Sequence, residues 1–168
     1  MELTELSKNI LNIVQKHNAD DAAVLCVKLR EKIIRFSNNL ITINEELDNI
    51  IVNVYFAKNR RRTVGSTSNI KIENLEKFIE TLEKNCAFQK VNKEYTQLPN
   101  GPITIPHAKT FDKKIADLKE EAGEITQNAI ALSLTNGAVK VAGILNTAEE
   151  SFAISTTTGI NAESCRTK

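Results

Sequence analysis

The sequence predicts an α/β (α+β) domain, a largely antiparallel mixed sheet with about three helices packed on it. Three observations carry this. Residues 20–69 are a run of alternating, β-rich segments separated by polar turns. Apolar residues recur at helical spacing on both sides of that run, and again beyond residue 117. Further strand-like segments follow Asn136-Gly137 to the end of the chain. With 168 residues the chain suits one domain, or one domain plus part of another.

In chain order, Leu3, Leu6, Ile10, Ile13, Val14 and His17 place an amphipathic helix over residues 4–17. Thr4 is its expected N-cap and Asn18 its stop. Val24–Phe36 is a first strand, with Leu25, Val27 and Leu29 on one face and Lys28, Arg30 and Lys32 on the other. Ser37-Asn38-Asn39 is a turn, Leu40–Asn44 a short second strand, and Glu45–Asn49 a polar turn. Ile50, Val52, Val54 and Phe56 then alternate against Ile51, Asn53 and Tyr55, the pattern of a half-buried third strand. Asn59 and Arg60 form a hairpin turn, and Arg61–Thr67 returns as a fourth strand. Gly65 within it marks a close backbone approach or a bulge.

Leu75, Phe78, Ile79, Leu82 and Cys86 define a second helix over residues 72–85. A linker lies within about residues 87–110; it holds Pro99, Pro102 and Pro106, with Asn100-Gly101 between the first two. Asp117-Leu118-Lys119-Glu120 has the form of a capping box, so the third helix is expected from Leu118, with Leu118, Ala122, Ile125, Ala129 and Leu132 inward. Asn136-Gly137 ends it. Val139–Asn146, Phe152–Thr156 and Ile160–Thr167 read as strands, with Thr158-Gly159 turning between the last two. The two halves echo each other weakly, as layers of one sheet rather than a repeat. Ile160–Lys168 reads as a strand without partner or closing helix, which leads to the expectation of an N-terminal piece of a longer protein.

Composition narrows function more by exclusion. Lys+Arg 22 against Asp+Glu 21 gives no global pull toward nucleic acid or anionic membrane. Cys26, Cys86 and Cys165 are odd in number and widely spaced, which points to reduced thiols in a cytoplasm. No signal peptide is visible, and no apolar run approaches the ~18 residues of a membrane span. His17 reads as structural, with no His, Cys or acidic cluster to pair with it, and His107 as a surface residue. No nucleophile elbow, phosphate loop or dinucleotide fingerprint appears, so no catalytic or metal-binding residue is assigned. The one local charge cluster, Lys58, Arg60, Arg61 and Arg62, is the candidate interaction site.

Several stretches in order carry a family resemblance. They are Ala19-Asp20-Asp21-Ala22-Ala23-Val24, Ile34-Arg35-Phe36-Ser37-Asn38-Asn39-Leu40, the strand Ile50–Phe56, and Gly65-Ser66-Thr67-Ser68-Asn69-Ile70 before a helix. Tyr95-Thr96-Gln97-Leu98-Pro99, Phe111-Asp112-Lys113-Lys114-Ile115 and Ile154-Ser155-Thr156-Thr157-Thr158-Gly159 continue the order. Together they resemble the N-terminal region of the TldD/PmbA family, also called the modulator of DNA gyrase family. Arg62-Thr63-Val64-Gly65-Ser66-Thr67-Ser68 leans toward the PmbA (TldE) type. Where family members often carry Asn-Gly, this chain has Asn38-Asn39; where they start the second helix at Ser or Thr, it has Lys71, which leaves capping to Asn69 or Ser68.

The resemblance implies a zinc metallopeptidase system acting on unfolded or short peptides, in the cytoplasm, with a homologous TldD/PmbA-type subunit as partner in a homo- or heterodimer. In the TldD type an HExxxH helix holds zinc, and the Glu polarises a bound water. That motif lies beyond the N-terminal region, so the resemblance places no cofactor in this chain and zinc in the full-length protein or its partner. The alternative reading is a small nucleic-acid or protein-interaction module using the basic hairpin at residues 58–62. Without Trp, and with 5% aromatic residues, it would lack a stacking platform for bases.

Overall fold

The computed structural model describes residues 2–104, 108–118 and 121–168. Its elements are α1 (Leu3–Lys16), β1 (Asp21–Ser37), β2 (Leu40–Lys58), β3 (Arg61–Thr67), α2 (Ile72–Phe88), α3 (Lys113–Ala116), α4 (Glu121–Thr135), β4 (Gly143–Thr156) and β5 (Asn161–Thr167). The strands form one five-stranded sheet in the order β3-β2-β1-β4-β5. Tight turns join β1 to β2, β2 to β3 and β4 to β5, so these pairs are antiparallel. Asn39 N donates to Val141 O and Thr157 N to Ala22 O, which sets β1 antiparallel to β4 as well. The expected α+β architecture is the observed one.

The strands are fewer and longer than expected. Residues 45–49 and 147–151 are not breaks; β2 and β4 run straight through them. Their acids suggested turns, but neither stretch contains Gly or Pro to force one. The acids instead face cations across the sheet. Lys32 Nζ reaches Glu46 at 3.0 Å, and Arg30 reaches Asp48 at 3.5 Å and Glu149 at 3.7 Å. Cross-strand opposite charges favour pairing modestly. β5 has a partner, contrary to expectation: Lys168 N donates to Ala148 O and Ala148 N to Lys168 O.

The two-residue turns follow from asparagine chemistry. Asn38 and Asn39 have φ of 49° and 69°, and Asn59 and Arg60 have 53° and 59°. This left-handed pair is the turn whose twist suits a hairpin, and Asn adopts it more readily than most residues. Gly65 is a close approach rather than a bulge, since β2–β3 pairing runs unbroken through Val54↔Gly65. A Cβ there would lie 2.6 Å from the Leu82 side chain of α2.

Thr4 is not the cap of α1. Glu2 holds that position without a side-chain bond, and Thr4 Oγ1 donates instead to Glu163. Asn18 does stop the helix, at φ 53°. Lys71 is the N-cap of α2, and Asn69 Oδ1 accepts the Lys71 N–H, which supports the helix start from two residues earlier. The one-turn α3, capped by Asp112, was not anticipated. Asp117 closes α3 rather than opening the next helix, and Lys119 and Glu120 of the expected capping box lie outside the described residues.

The chain divides into two compact units. The first, residues 1–28, 50–108 and 151–164, holds the main core. Leu6, Ile10 and Val14 of α1 and Leu75, Ile79 and Leu82 of α2 join Val24, Cys26, Val52, Val54 and Phe56 of the sheet. Alternation explains this: Val52, Val54 and Phe56 all point to one face and are fully buried. The second unit is residues 29–49, 109–150 and 165–168. Here α4 buries Ala122, as expected, but with Thr126 and Ile130 beside it. Ile125, Ala129 and Leu132, expected inward, are exposed.

Candidate functional site

The basic hairpin is largely committed to holding the first unit together. Lys58 Nζ donates to Glu83 Oε1 at 2.6 Å and to His17 O at 2.9 Å. Arg61 Nε donates to Gln89 O at 2.9 Å. Asn59 N donates to Asp20 Oδ2, and Asn92 N to Arg60 O. The turn is thus tied to the ends of α1 and α2. Of the four predicted interaction residues, the side chains of Arg60 and Arg62 stay exposed, whereas Lys58 and Arg61 are half-buried.

His17 has the acidic partner that sequence spacing did not reveal. Its Nδ1 lies 2.7 Å from Glu83 Oε2. Glu83 sits 66 positions away on α2, so only packing of the two helices brings them together. Hydrogen bonds from Lys58 and then from His17 hold the Glu83 carboxyl below its usual range. The imidazole at the end of α1 thus links α1 to α2 through a carboxylate, a partner the sequence reading did not give it. His107 lies outside the described residues.

The most constructed polar site is one to which sequence reasoning gave no role. Asp21, at the start of β1, is 1% exposed. Its Oδ2 accepts from Tyr95 Oη at 2.9 Å and from Leu98 N at 2.7 Å. Its Oδ1 accepts from Thr157 Oγ1 at 3.2 Å. Thr157 also exchanges bonds with Ala22, and Thr158 O accepts from Gly101 N. A Cβ on Gly101 would lie 2.5 Å from the Gly159 backbone, so a glycine is required there. Burial, then the Asp21 hydrogen bond, pushes the Tyr95 phenol well above its usual range. Three neutral donors satisfy the buried Asp21 side chain, as a buried polar group requires.

This node joins three of the stretches that carried the family resemblance, those at residues 19–24, 95–99 and 154–159. Asp21 ties the linker segment down through Tyr95 and Leu98. The available signal was an acidic pair, Asp20-Asp21, directly before an apolar strand; its use could not be read without knowing what lies beside it.

In the second unit, a cavity of about 370 Å³ is lined by Arg30, Lys32, Glu46, Asp48, Glu149 and Ile115, among others. Both cations already face carboxylates of the chain. Cys26, Cys86 and Cys165 form no disulfide; burial pushes the Cys26 thiol up to about 11 and raises that of Cys86 as well, which disfavours the thiolate at both. Among the described residues there is no group of three His, Cys, Asp or Glu side chains placed to hold a metal ion. Among them, too, no helix is long and apolar enough to cross a membrane.

No family sequence model matches the chain, and no curated protein sequence does. Solved structures do. TldE from Thermococcus kodakarensis superposes with a TM-score of 0.83 at 12% identity, over 96% of this chain and 37% of that one. A candidate modulator of DNA gyrase from Bacteroides thetaiotaomicron gives 0.84 at 15% identity, over 97% and 38%. Another from Thermotoga maritima gives 0.74 at 15%, over 97% and 37%. This chain therefore spans little more than a third of the length of each. The resemblance read from the sequence is borne out as a likeness of fold: nearly the whole chain folds as part of TldE and of these gyrase-modulator structures do.

Proposed function

We propose that residues 1–168 are the N-terminal domain of a TldD/PmbA-type protein, nearer the PmbA (TldE) type. The domain would form a wall of a peptide chamber and part of a subunit interface, in a cytoplasmic zinc-dependent system acting on unfolded or short peptides. The supporting observation is the match of almost all of this chain to little more than a third of three larger chains, one of them TldE. The convergence of the family-like stretches on Asp21 agrees with it.

Among the described residues no His, Cys, Asp and Glu side chains are grouped to hold a zinc ion. His17 is shared with Glu83 near Lys58, and HExxxH does not occur in the sequence. On this reading zinc chemistry would belong to a longer protein or to its partner, and no step of it is assigned to this chain. The domain's part is to shape and wall the site. An extended peptide can also add to an open strand edge through main-chain bonds.

The test is the intact size of the natural product, from the reading frame past Lys168 and its mass in cells. A longer product with HExxxH makes this the front of a zinc-bearing subunit. A longer product without it makes a PmbA-like partner, whose chelator-sensitive peptidase activity appears only in complex with a zinc-bearing homologue. A product ending at Lys168 sinks the chamber reading. The alternative, nucleic-acid binding by the hairpin, rests on the exposed Arg60 and Arg62. It predicts salt-sensitive binding that vanishes in Arg60→Ala/Arg62→Ala.

A further inference from the structure

The two outer strands of the sheet are finished differently. On β5, outward main-chain groups are taken up by the chain itself: Thr167 N donates to Thr110 O, and Thr110 Oγ1 donates to Cys165 O. β3 is left open. The tight turn at Asn59 and Arg60 makes Lys58 and Arg61 the pair that closes the hairpin, exchanging both main-chain bonds. Antiparallel pairing alternates, so Arg61, Thr63, Gly65 and Thr67 turn their main-chain groups to β2. Arg62, Val64 and Ser66 turn theirs outward. Among the described residues none bonds to the N–H or C=O groups of these three. Arg62 and Ser66 are exposed, and Val64 is 67% exposed.

An edge of this kind is ordinarily blunted by a proline, a lysine or a bulge. β3 has none of these. Arg61-Arg62-Thr63-Val64-Gly65-Ser66-Thr67 pairs with β2 without interruption, and its charges stand in the first two residues. With Arg60 of the turn, Arg62 makes that end of the edge cationic, and both side chains are exposed. The carboxylates nearby are already engaged. Asp20 Oδ2 accepts the Asn59 N–H, and Glu83 holds Lys58 and His17. Among the described residues neither Arg60 nor Arg62 has a carboxylate partner, whereas Arg30, Lys32 and Lys58 each have one.

We infer that the outer edge of β3 binds the C-terminal end of an extended peptide, added antiparallel as a further strand, with its terminal carboxylate at the end that carries Arg60 and Arg62. Charge sets the direction. β3 runs away from the turn, so an antiparallel strand runs toward it and ends beside the two arginines. A parallel strand would bring an N-terminal ammonium there instead. The peptide residue facing Val64 exchanges both main-chain bonds with it. The residues two before and two after it face Ser66 and Arg62, and the carboxylate of the last receives the Arg62 N–H. Five residues therefore satisfy the open groups. The main-chain bonds hold a peptide of almost any sequence, and the charge-assisted contact selects a free C-terminus. The inference rests on the proposed function only for peptides as the occupants; register and direction come from β3 and its turn.

The probe is an acetylated pentapeptide of alternating threonine and valine with a free C-terminal carboxylate. Titrated into the 168-residue chain and followed by amide NMR, it should bind with a dissociation constant of about 100 μM and shift the β3 amides. The C-terminal amide of the same peptide should bind at least about tenfold more weakly, as should the acid to Arg60→Ala/Arg62→Ala. Val64→Pro removes the central outward N–H and none of the bonds to β2, so it should weaken binding as much. A peptide N-methylated at its central residue makes the same cut on the unaltered protein and should also fail to bind. Equal affinity for acid and amide, or undiminished binding of the N-methylated peptide, would overturn the inference. So would a chain that binds a single-stranded oligonucleotide through Arg60 and Arg62 and does not bind the pentapeptide. In a longer natural product, a Val64 N–H protected from hydrogen exchange without peptide would overturn it too, since the product's own chain would then occupy the edge. A natural product ending at Lys168 would sink the chamber reading and leave the peptide edge standing.

Discussion

The two units of the chain are stabilised by different means. In the first, two amphipathic helices and one sheet face close over a core that includes Phe56, Ile10, Ile79 and Val54, all essentially inaccessible. Polar groups there are buried only with partners: Asp21 with Tyr95, Leu98 and Thr157, and Ser7 with Ser155. In the second, the fully or nearly buried side chains are few, chiefly Ile34, Ala122, Thr126, Ile130 and Ala148. Charge pairs fill much of the remaining sheet surface: Lys32–Glu46, Arg30–Asp48, and Glu150 with Arg166 and Lys168. Exposed ion pairs contribute little, about 0–1 kcal/mol each. Apolar residues such as Ile125, Leu132, Val139 and Ile144 meanwhile stay at the surface. The difference lies in the core: the first unit closes over many buried apolar side chains and the second over few, while both leave apolar residues at the surface, Phe88 and Ile72 in the first among them.

The largest expected effect lies in the first core. Phe56→Ala should cost about 3–5 kcal/mol, and Ile130→Ala in the second unit about 2 kcal/mol, because the sparser site leaves a smaller lasting cavity. Urea denaturation of both variants decides this; equal losses would contradict the contrast between the units.

Asp21→Ala should cost about 2–3 kcal/mol, since it leaves the Tyr95 hydroxyl and the Leu98 N–H without an acceptor. Asp21→Asn, which keeps one oxygen, should recover part of the loss. Proteolysis within residues 89–104 should accelerate in the alanine variant. An unchanged cleavage rate would mean that the node does not tether this segment.

Glu83→Gln should cost about 1 kcal/mol at neutral pH, discounted for partial exposure. The sign of its pH dependence is set by the lowered Glu83 value. The stabilisation is present above the unfolded carboxylate pKa of about 4.3 and is lost as pH falls through the folded value. Wild type and variant should therefore converge in acid. A gap that persists at about pH 3 would assign the loss to packing rather than charge.

The smallest effect belongs to the sheet surface. Lys32→Ala, Glu46→Ala and the double variant should give a coupling energy of about 0.5 kcal/mol. A coupling above about 2 kcal/mol would show that the second unit depends on its charges as the first depends on its core.

Local chemistry made much of this fold legible. The periods of α1 and α2, the alternation through Val52, Val54 and Phe56, and the asparagine turns all express forces acting within a few residues. The four-residue basic cluster was legible too, as composition. The merging of strands across Glu45–Asn49 was not, because an acidic run reads as a turn until cations on the neighbouring strand are known to face it.

Residues far apart in the chain could be paired only by tertiary structure. The sequence shows an Asp before a strand, a Tyr in a linker and a Thr near a turn; folding makes them one buried node. It likewise shows His17 and Glu83 on separate helices, and packing makes them neighbours. The most instructive case is α4. Periodicity correctly found a helix and its apolar stripe, yet of the residues marked for the interior Ala122 is buried while Ile125, Ala129 and Leu132 face out. A helical period says which residues share a face, but the neighbouring elements decide which face is covered.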